Sequence, residues 1–301
     1  MGAAKFIRGL VRRIDPARLT VVVNTGDDET FYGLHVSPDI DTVTYTLAGA
    51  VNRAQGWGLD GESFNVLPAL ERFYGKPWFG LGDRDLATHL YRTERLHQGA
   101  SLSRITTEIA QAFGVKSQII PMSDERVRTF VKLRGRRAIP FQEYFVRGGA
   151  RGAVEKIELR GIATARPTPA VLATIRKSAA IILAPSNPFV SLGPILRLTG
   201  MRAALRKVKS RVAAISPIVG GKTIKGPADK MLRGLKMEVS PLGVARLYRD
   251  IVGLFVLDNA DRRYVDSIER LGMRAIATDT IMNTPERAGA LAEVVLRTLA
   301  V

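Results

Sequence analysis

Five short apolar runs, each ending abruptly in a polar loop, restrict this chain more than any other feature. Residues 19–23 run into Asn24-Thr25-Gly26-Asp27-Asp28, and residues 180–183 into Ala184-Pro185-Ser186-Asn187-Pro188. Residues 212–215 run into Ser216-Pro217-Ile218-Val219-Gly220-Gly221, residues 254–257 into Asp258-Asn259-Ala260-Asp261, and residues 275–277 into Thr278-Asp279-Thr280. Each run has the length of a strand. A continuous apolar run, unlike an alternating one, is buried on both faces, as in a parallel sheet covered by helices. Residues 285–299, with Ala288, Leu291, Val294, Val295 and Leu299 on one side, predict one such helix. Ligands of such a sheet sit beyond the carboxyl ends of the strands, so the polar loops are expected to share one site. The expected fold class is α/β, a Rossmann-like three-layer sandwich with a mostly parallel sheet.

Residues 42–114 read differently. Leu102, Ile105, Ile109 and Phe113 follow helical spacing until Gly114 stops them, and Leu86 and Leu90 suggest a helix opening after Gly82-Asp83-Arg84-Asp85. The expected organisation is a discontinuous nucleotide-binding core, residues 1–41 and 115–301, with a small helical lobe at 42–114. A β-rich excursion with several glycines is expected near 132–160.

Composition excludes some function classes. With 301 residues, 46% of them apolar, the chain can bury a sizeable core. No apolar run approaches the roughly 20 residues that cross a bilayer. The basic start is not followed by the apolar stretch and cleavage site of a signal peptide. The absence of cysteine excludes disulfides, thiolate metal sites and a cysteine nucleophile. A cytoplasmic protein without a membrane partner is expected. The net charge of +17 invites a nucleic-acid reading. Its densest regions, 132–160 and 202–236, lack the regularly interleaved aromatics of a base-stacking surface. Most of the charge is therefore assigned to solvated surface, with part left to attract a phosphate-bearing small substrate.

Three sets of loops could carry chemistry. Asp27 and Asp28, followed by Ser37-Pro38-Asp39-Ile40-Asp41-Thr42, place four carboxylates in two nearby loops. Such a set suits Mg²⁺, which takes oxygen ligands from one or two carboxylates plus substrate phosphates, or could accept a proton from a hydroxyl. The plain alternative is that these are turn formers and caps, with Asp41 capping a helix that begins at Thr42. In Gly82-Asp83-Arg84-Asp85-Leu86-Ala87-Thr88-His89, Arg84 offers a planar fork for phosphate or carboxylate. The alternative there is a capped helix start, with His89 structural. Ser186-Asn187-Pro188 and the segment 216–222 offer small polar groups and free backbone N–H groups that can cradle phosphates, with Lys222 and Lys225 near in sequence.

These loops, together with Pro121-Met122-Ser123-Asp124 and Phe141-Gln142-Glu143-Tyr144-Phe145-Val146-Arg147, occur in one order along nearly the whole chain. In that order they resemble the 2-phospho-L-lactate transferase family of coenzyme F-420 biosynthesis. The resemblance implies a guanosine-diphospho donor carrying lactate or enolpyruvate on its outer phosphate. The implied acceptor is the ribityl hydroxyl of the deazaflavin Fo, which attacks that phosphorus and releases GMP with Mg²⁺ as cofactor. It further implies Asp28, Asp39 and Asp41 as catalytic or metal residues, with Asp41 also contacting the acceptor. Asp83, Arg84, Thr88 and His89 would lie beside the deazaflavin, and Gly2, Lys5, Ser186, Asn187, Ser216 and Gly220 at the nucleotide. A homodimer is an expectation of the family alone. Under this reading Asp41→Asn should cut turnover and leave the fold intact. Two other readings are a non-enzymatic regulator of the same broad fold that binds a nucleotide sugar, and a charge-driven nucleic-acid binder.

The chain departs from the family at its start. The family opens with a buried strand and a Gly-Gly-x-Gly-Gly/Ala-Ala-Lys loop, of which Met1-Gly2-Ala3-Ala4-Lys5 matches only the end. The expectation is that the start is assigned too late, and that a first strand and two glycines lie upstream.

Overall fold

The computed structural model describes residues 2–300, and all five apolar runs are strands in it. The first half of the chain contains α1 (Gly2–Leu10), β1 (Thr20–Val23), the hairpin β2 (Glu29–Phe31) and β3 (Leu34–Val36), α2 (Pro38–Leu47), α3 (Val66–Tyr74), α4 (Asp83–His97) and α5 (Leu102–Ala112). Next come β4 (Gln118–Pro121), β5 (Arg128–Leu133), β6 (Ala138–Pro140), β7 (Val154–Arg160), α6 (Pro169–Lys177) and β8 (Ile181–Leu183). After these follow α7 (Leu192–Arg197), α8 (Met201–Arg206), β9 (Val212–Ile215), β10 (Ile218–Val219), β11 (Lys222–Thr223), α9 (Ala228–Gly234) and α10 (Pro241–Tyr248). The chain closes with β12 (Leu254–Asp258), α11 (Val265–Glu269), β13 (Arg274–Thr278) and α12 (Pro285–Thr298).

The strands from the apolar runs pair in parallel. Four of them form a sheet in the order β13-β12-β9-β8, and β1 pairs β4 in a separate two-stranded sheet. The continuous apolar sequence has the cause expected of it. In β9 and β12, Ala213, Ile215, Leu254 and Val256 pack against α1 and α12, while Val212, Ala214, Phe255 and Leu257 enter a core built with α6, α8, α10 and α11. Successive side chains thus alternate between two apolar layers, and every residue of both strands is buried. Between β8 and β1 the parallel array is interrupted, because among the described residues β8 pairs only with β9 and β1 only with β4. Among the described residues no helix is long and apolar enough to cross a membrane.

Two boundaries differ from the sequence expectation. The β-rich excursion is a three-stranded antiparallel sheet, β6-β5-β7, that begins at Arg128 rather than 132, because Phe130 and Val131 already turn inward. The helix expected at Thr42 begins at Pro38, whose fixed φ suits the first turn. Residue 42 therefore lies inside α2. Ile40 and Val43 of this helix, with Leu102 and Ala110 of α5, pack on Val23 and Ile119 of the β1–β4 sheet. Segment 42–114 thus gives two helices to the sheet, while much of the loop 52–65, α3 and the outer face of α4 lie outward.

Candidate active site

A cleft of about 370 Å³ opens beyond the carboxyl ends of the parallel strands. The loop after β1, the start of α2, the loops after β8 and β9, and the segment after β13 all reach it. Of the five polar loops, four reach this cleft; the loop 258–261 after β12 does not line it. Asp27, Asp39 and Asp41 line it, as do Gly2, Lys5, Ser186, Asn187 and Ser216.

The acidic residues divide by what their carboxylates touch. Asp39 lies in the first turn of α2. Its Oδ2 accepts 2.9 Å from Asn24 Nδ2, which also donates 3.2 Å to the Val190 carbonyl, so one amide ties the loop after β1 to the loop after β8. Asp27 is buried, and its Oδ1 has no hydrogen-bond partner among the described residues. Burial pushes the carboxyls of both Asp27 and Asp39 above the usual carboxylate range. The neighbouring charges of Asp39 and Asp28 raise Asp27 further, while Asn24 pulls both back. Among the described residues no cationic side chain is bonded to either carboxylate. These two buried carboxyls in one cleft are the group that a cation would relieve.

Asp28 and Asp41 are engaged elsewhere. Asp28 Oδ2 meets His35 Nε2 at 3.1 Å and accepts 2.8 Å from Ser37 Oγ, and the residue does not line the cleft. Both oxygens of Asp41 accept from the guanidinium of Arg92, one of them at 3.2 Å from Nη1. Arg92 is wholly buried, and its Nη1 also reaches the His35 carbonyl at 3.3 Å and His89 Nδ1 at 3.2 Å. Burial alone would lower the guanidinium pKa, yet the Asp41 carboxylate outweighs it and the net shift is upward. In this geometry Asp28 is held by a histidine and a serine, and Asp41, though it lines the cleft, by an arginine. Asp27 lines the cleft too, and a loop that offers two adjacent aspartates gives no sign in sequence of which one faces inward.

The α4 segment is likewise only partly at the cleft. Its inward stripe is Asp85, Thr88, His89 and Arg92, of which Asp85 and His89 line the cleft. Tyr45 donates 2.6 Å to Asp85 Oδ1 and lies 3.0 Å from Thr88 Oγ1, so Thr88 acts behind the wall. Burial and the adjacent carboxylates of Asp41 and Asp85 raise the Tyr45 hydroxyl far above its ordinary pKa, which keeps it a donor. An arginine can only donate, so His89 Nδ1 accepts from Arg92 and the ring proton lies on Nε2. That Nε2 is buried without a hydrogen-bond partner among the described residues, 3.6 Å from Asp85 Oδ2. Asp83 and Arg84 do not reach the cleft. The exposed Asp83 carboxylate accepts from the backbone of Val66 and Asn65, which holds its pKa down at about 2, and Arg84 Nη1 donates 2.8 Å to the Asp60 carbonyl.

In the loops after β8 and β9, the side chains named from sequence mostly shape the loops themselves. Asn187 Oδ1 accepts from the backbone N–H groups of Phe189 and Val190 at 2.9 and 3.3 Å. Ser216 Oγ donates 2.9 Å to the Ile218 carbonyl and accepts from Ile218 N–H at 3.1 Å. The Gly220 N–H is taken by Asp261 at 2.8 Å, and Gly220 stays outside the cleft. Lys5 does enter it. Burial first, then the charges of Lys225 and Arg8, lower its pKa, and Lys225 lines the same cleft. Two lysines facing one space beside the start of α1, whose first turn carries no acid, make a ready seat for a multiply charged anion. Trp57 and Phe79, which no sequence motif marked, and Phe141 and Phe145 of the 141–147 motif add flat apolar walls; Phe141 and Phe145 stack at 5.5 Å, 8° from parallel.

The family described as 2-phospho-L-lactate transferase CofD matches residues 1–294. A phosphoenolpyruvate transferase of Kitasatospora aureofaciens is 40% identical over 302 aligned residues, covering 98% of this chain and 94% of that protein. A 2-phospho-L-lactate transferase of Methanosarcina mazei is 38% identical, covering 98% of this chain and 97% of its own. Among solved structures, a UPF0052-family protein of Bacillus halodurans superposes with a TM-score of 0.63 at 17% identity, over 98% of this chain and 96% of that one, a likeness of fold alone.

Proposed function

Given that this chain belongs to the 2-phospho-L-lactate transferase CofD family and is a transferase of that type, we propose that its cleft joins a guanosine-diphospho donor to the ribityl hydroxyl of the deazaflavin Fo. The donor carries lactate or enolpyruvate on its outer phosphate. The hydroxyl oxygen forms a bond to that phosphorus, the bond to the bridging oxygen breaks, and GMP departs with the electron pair. The observation that carries this reading is the meeting of the buried carboxyls Asp27 and Asp39 with Lys5, Lys225 and the loops after β8 and β9 in one cleft.

Phosphoryl chemistry of this kind is mostly positioning and charge neutralisation. Asp27 and Asp39 would hold Mg²⁺, and the ion, when bound, would neutralise charge on the donor phosphates. Among the described residues no cluster of three or more His, Cys, Asp or Glu converges; substrate phosphates and water would have to supply the ion's remaining oxygen ligands. Lys5, Lys225 and the N–H groups opening α1 hold the diphosphate. A carboxylate with a raised pKa is suited to take the proton from the attacking hydroxyl. Trp57, Phe79 and Phe145 offer faces for a tricyclic ring, and His89 Nε2–H offers a fixed donor at the wall.

The direct test is incubation with Fo, Mg²⁺ and each donor in turn, followed by chromatography for GMP and a more acidic deazaflavin product. Turnover with either donor is expected. Relatives named for phosphoenolpyruvate transfer and for 2-phospho-L-lactate transfer are similarly close, so the ratio of the two rates identifies the donor. Tight binding of a uridine sugar with no turnover would replace this reading by the nucleotide-sugar regulator.

A pH effect follows from the carboxyl pair. The folded-state pKa of Asp27 and of Asp39 is raised above the ordinary aspartate value, chiefly by burial. Their contribution to stability is therefore fully present below about pH 4, and is lost as pH rises through the raised values. A bound divalent ion favours the ionised form and offsets that loss. Thermal melts with and without Mg²⁺ at pH 5 and pH 8 should show a larger gain from Mg²⁺ at pH 8. An equal gain at both, or none, would remove the ion from this pair.

A further inference from the structure

Of the residues of the 141–147 motif that line the cleft, Phe141, Phe145 and Val146 are apolar and Gln142 is polar. Gln142 is more than nine-tenths buried. Its side chain nevertheless makes a single hydrogen bond among the described residues, from Nε2 to the Asp27 carbonyl at 3.5 Å, the far limit of such a bond. A carbonyl can only accept, so this contact fixes Nε2 as the end turned to Asp27 and leaves Oε1 an acceptor without a donor. Buried amides are normally paired at both ends, because an unpaired polar atom out of water costs stability. An exception aimed into a cleft points to a ligand.

Packing holds the amide where it is. Its neighbours Phe141 and Tyr144 are buried in one cluster with Val131, Leu133, Val154 and Val190. Gln142 leads into the helical turn Glu143–Arg147, closed by the Gly148 N–H on the Glu143 carbonyl at 2.8 Å, an i→i+5 bond of a kind that recurs at functional sites. Val190 joins this cluster to the carboxyl pair, since its carbonyl takes the same Asn24 amide that is bonded to Asp39. Gln142, Asp27 and Asp39 thus share one packed frame. Phe145 follows three residues after Gln142 in the same cleft wall, so that wall offers a flat ring face, then an under-bonded amide, then the buried carboxyls.

We propose that Gln142 Oε1 accepts a hydrogen bond from an inner ribityl hydroxyl of the acceptor, and so aims the terminal hydroxyl at the phosphorus beside Asp27 and Asp39; this role rests on the acceptor and reaction proposed above. The chemistry favours a hydroxyl over the other polar group that the reaction brings to this point, the acid group of the donor. A hydroxyl can donate to Oε1 and also accept from the second hydrogen of Nε2. A carboxylate can only accept, so it would leave Oε1 unpaired and set a further negative charge beside two buried carboxyls. With the tricyclic ring on Phe145, the side chain of the acceptor passes Gln142 before its end reaches the carboxyls. That chain rotates about several single bonds, and holding one inner hydroxyl removes much of this freedom before the bond to phosphorus forms.

The experiment is calorimetric titration of Fo, and of Fo analogues that each lack one inner ribityl hydroxyl, into the wild type, Gln142→Leu and Gln142→Met. In the wild type one of these deletions is expected to weaken binding about tenfold. Both variants should bind Fo about tenfold more weakly, and in them the same analogue should bind as well as Fo. Turnover should fall about ten- to hundredfold, mostly in kcat, because the attacking hydroxyl is left unaimed, while the donor KM stays within about twofold. Both variants should melt no lower than the wild type, since an apolar group replaces an under-bonded buried amide. Fo binding at the wild-type level in both variants, or an analogue penalty that persists in them, overturns the proposal. A raised donor KM with Fo binding unchanged overturns it too, and moves the amide to the acid group of the donor. A wild type that binds no Fo at all overturns the proposed acceptor and this role with it, so the wild-type titration separates the two failures.

Discussion

Arg92→Met is expected to lower the free energy of unfolding by about 3–5 kcal/mol, the usual consequence of leaving one member of a buried ion pair alone. Arg92 has no solvent exposure, and its guanidinium serves three groups at once: both oxygens of Asp41, the His35 carbonyl and His89 Nδ1. Removing it strands the Asp41 carboxylate, which is itself almost inaccessible to water. Asp41→Asn should be costly for the mirror-image reason, because the arginine then keeps its charge without a partner. That alters the sequence expectation that Asp41→Asn would spare the fold. The double variant with both changes should lose clearly less than the two single losses added together, with a coupling of about 1–3 kcal/mol. Arg92→Lys should not rescue, since an ammonium cannot reproduce the two-pronged contact. Urea denaturation of the four proteins decides the matter. Single losses under about 1 kcal/mol that simply add would show that the pair does not hold this part of the molecule.

The sheet was readable because its cause is local in sequence. A strand buried on both faces must be apolar at every position, and residues 212–215 and 254–257 are. The loops at its carboxyl end were readable for a related reason, since a parallel sheet sends all its strand ends to one side. What was not readable is the direction of single side chains within a loop. Asp27 and Asp28 are neighbours of one type, and only the later hairpin, which brings His35 to Asp28, decides that Asp27 is the one left facing the cleft. The α4 segment did carry a usable signal. Asp85, Thr88, His89 and Arg92 recur at helical spacing, and a polar stripe of that period interleaved with Leu86 suggests a buried network rather than a binding edge. On the same wheel Asp83 and Arg84 fall off the stripe, in agreement with their contacts to the loop 60–66. The exposed Trp57 and the apolar Phe79 gave no pattern of their own, because aromatic cleft walls from an irregular loop have no period to read.

The second large effect separates the two kinds of aspartate. Asp39→Asn is expected to cut turnover by about 10²–10³-fold, the scale on which a group aimed at developing charge acts. The same change should leave the metal-free protein as stable as before, or more stable. In the folded protein the Asp39 carboxyl is raised by burial, so the fold disfavours its charge, and an amide of the same shape removes that penalty while still accepting from Asn24 Nδ2. A group that costs stability and supports activity is the signature of a functional site. Asp27→Asn should behave alike, its carboxyl being raised further by its acidic neighbours. The stabilisation by Mg²⁺ at pH 8 should vanish with either change. Asp41→Asn gives the opposite stability sign, because Asp41 is bonded to a cation and Asp39 is not. Turnover numbers and melting temperatures for the three variants therefore form one experiment. If Asp39→Asn turned over like the wild type, or destabilised the fold as Asp41→Asn does, the carboxyl pair would be structural and the metal would have to be sought elsewhere in the cleft.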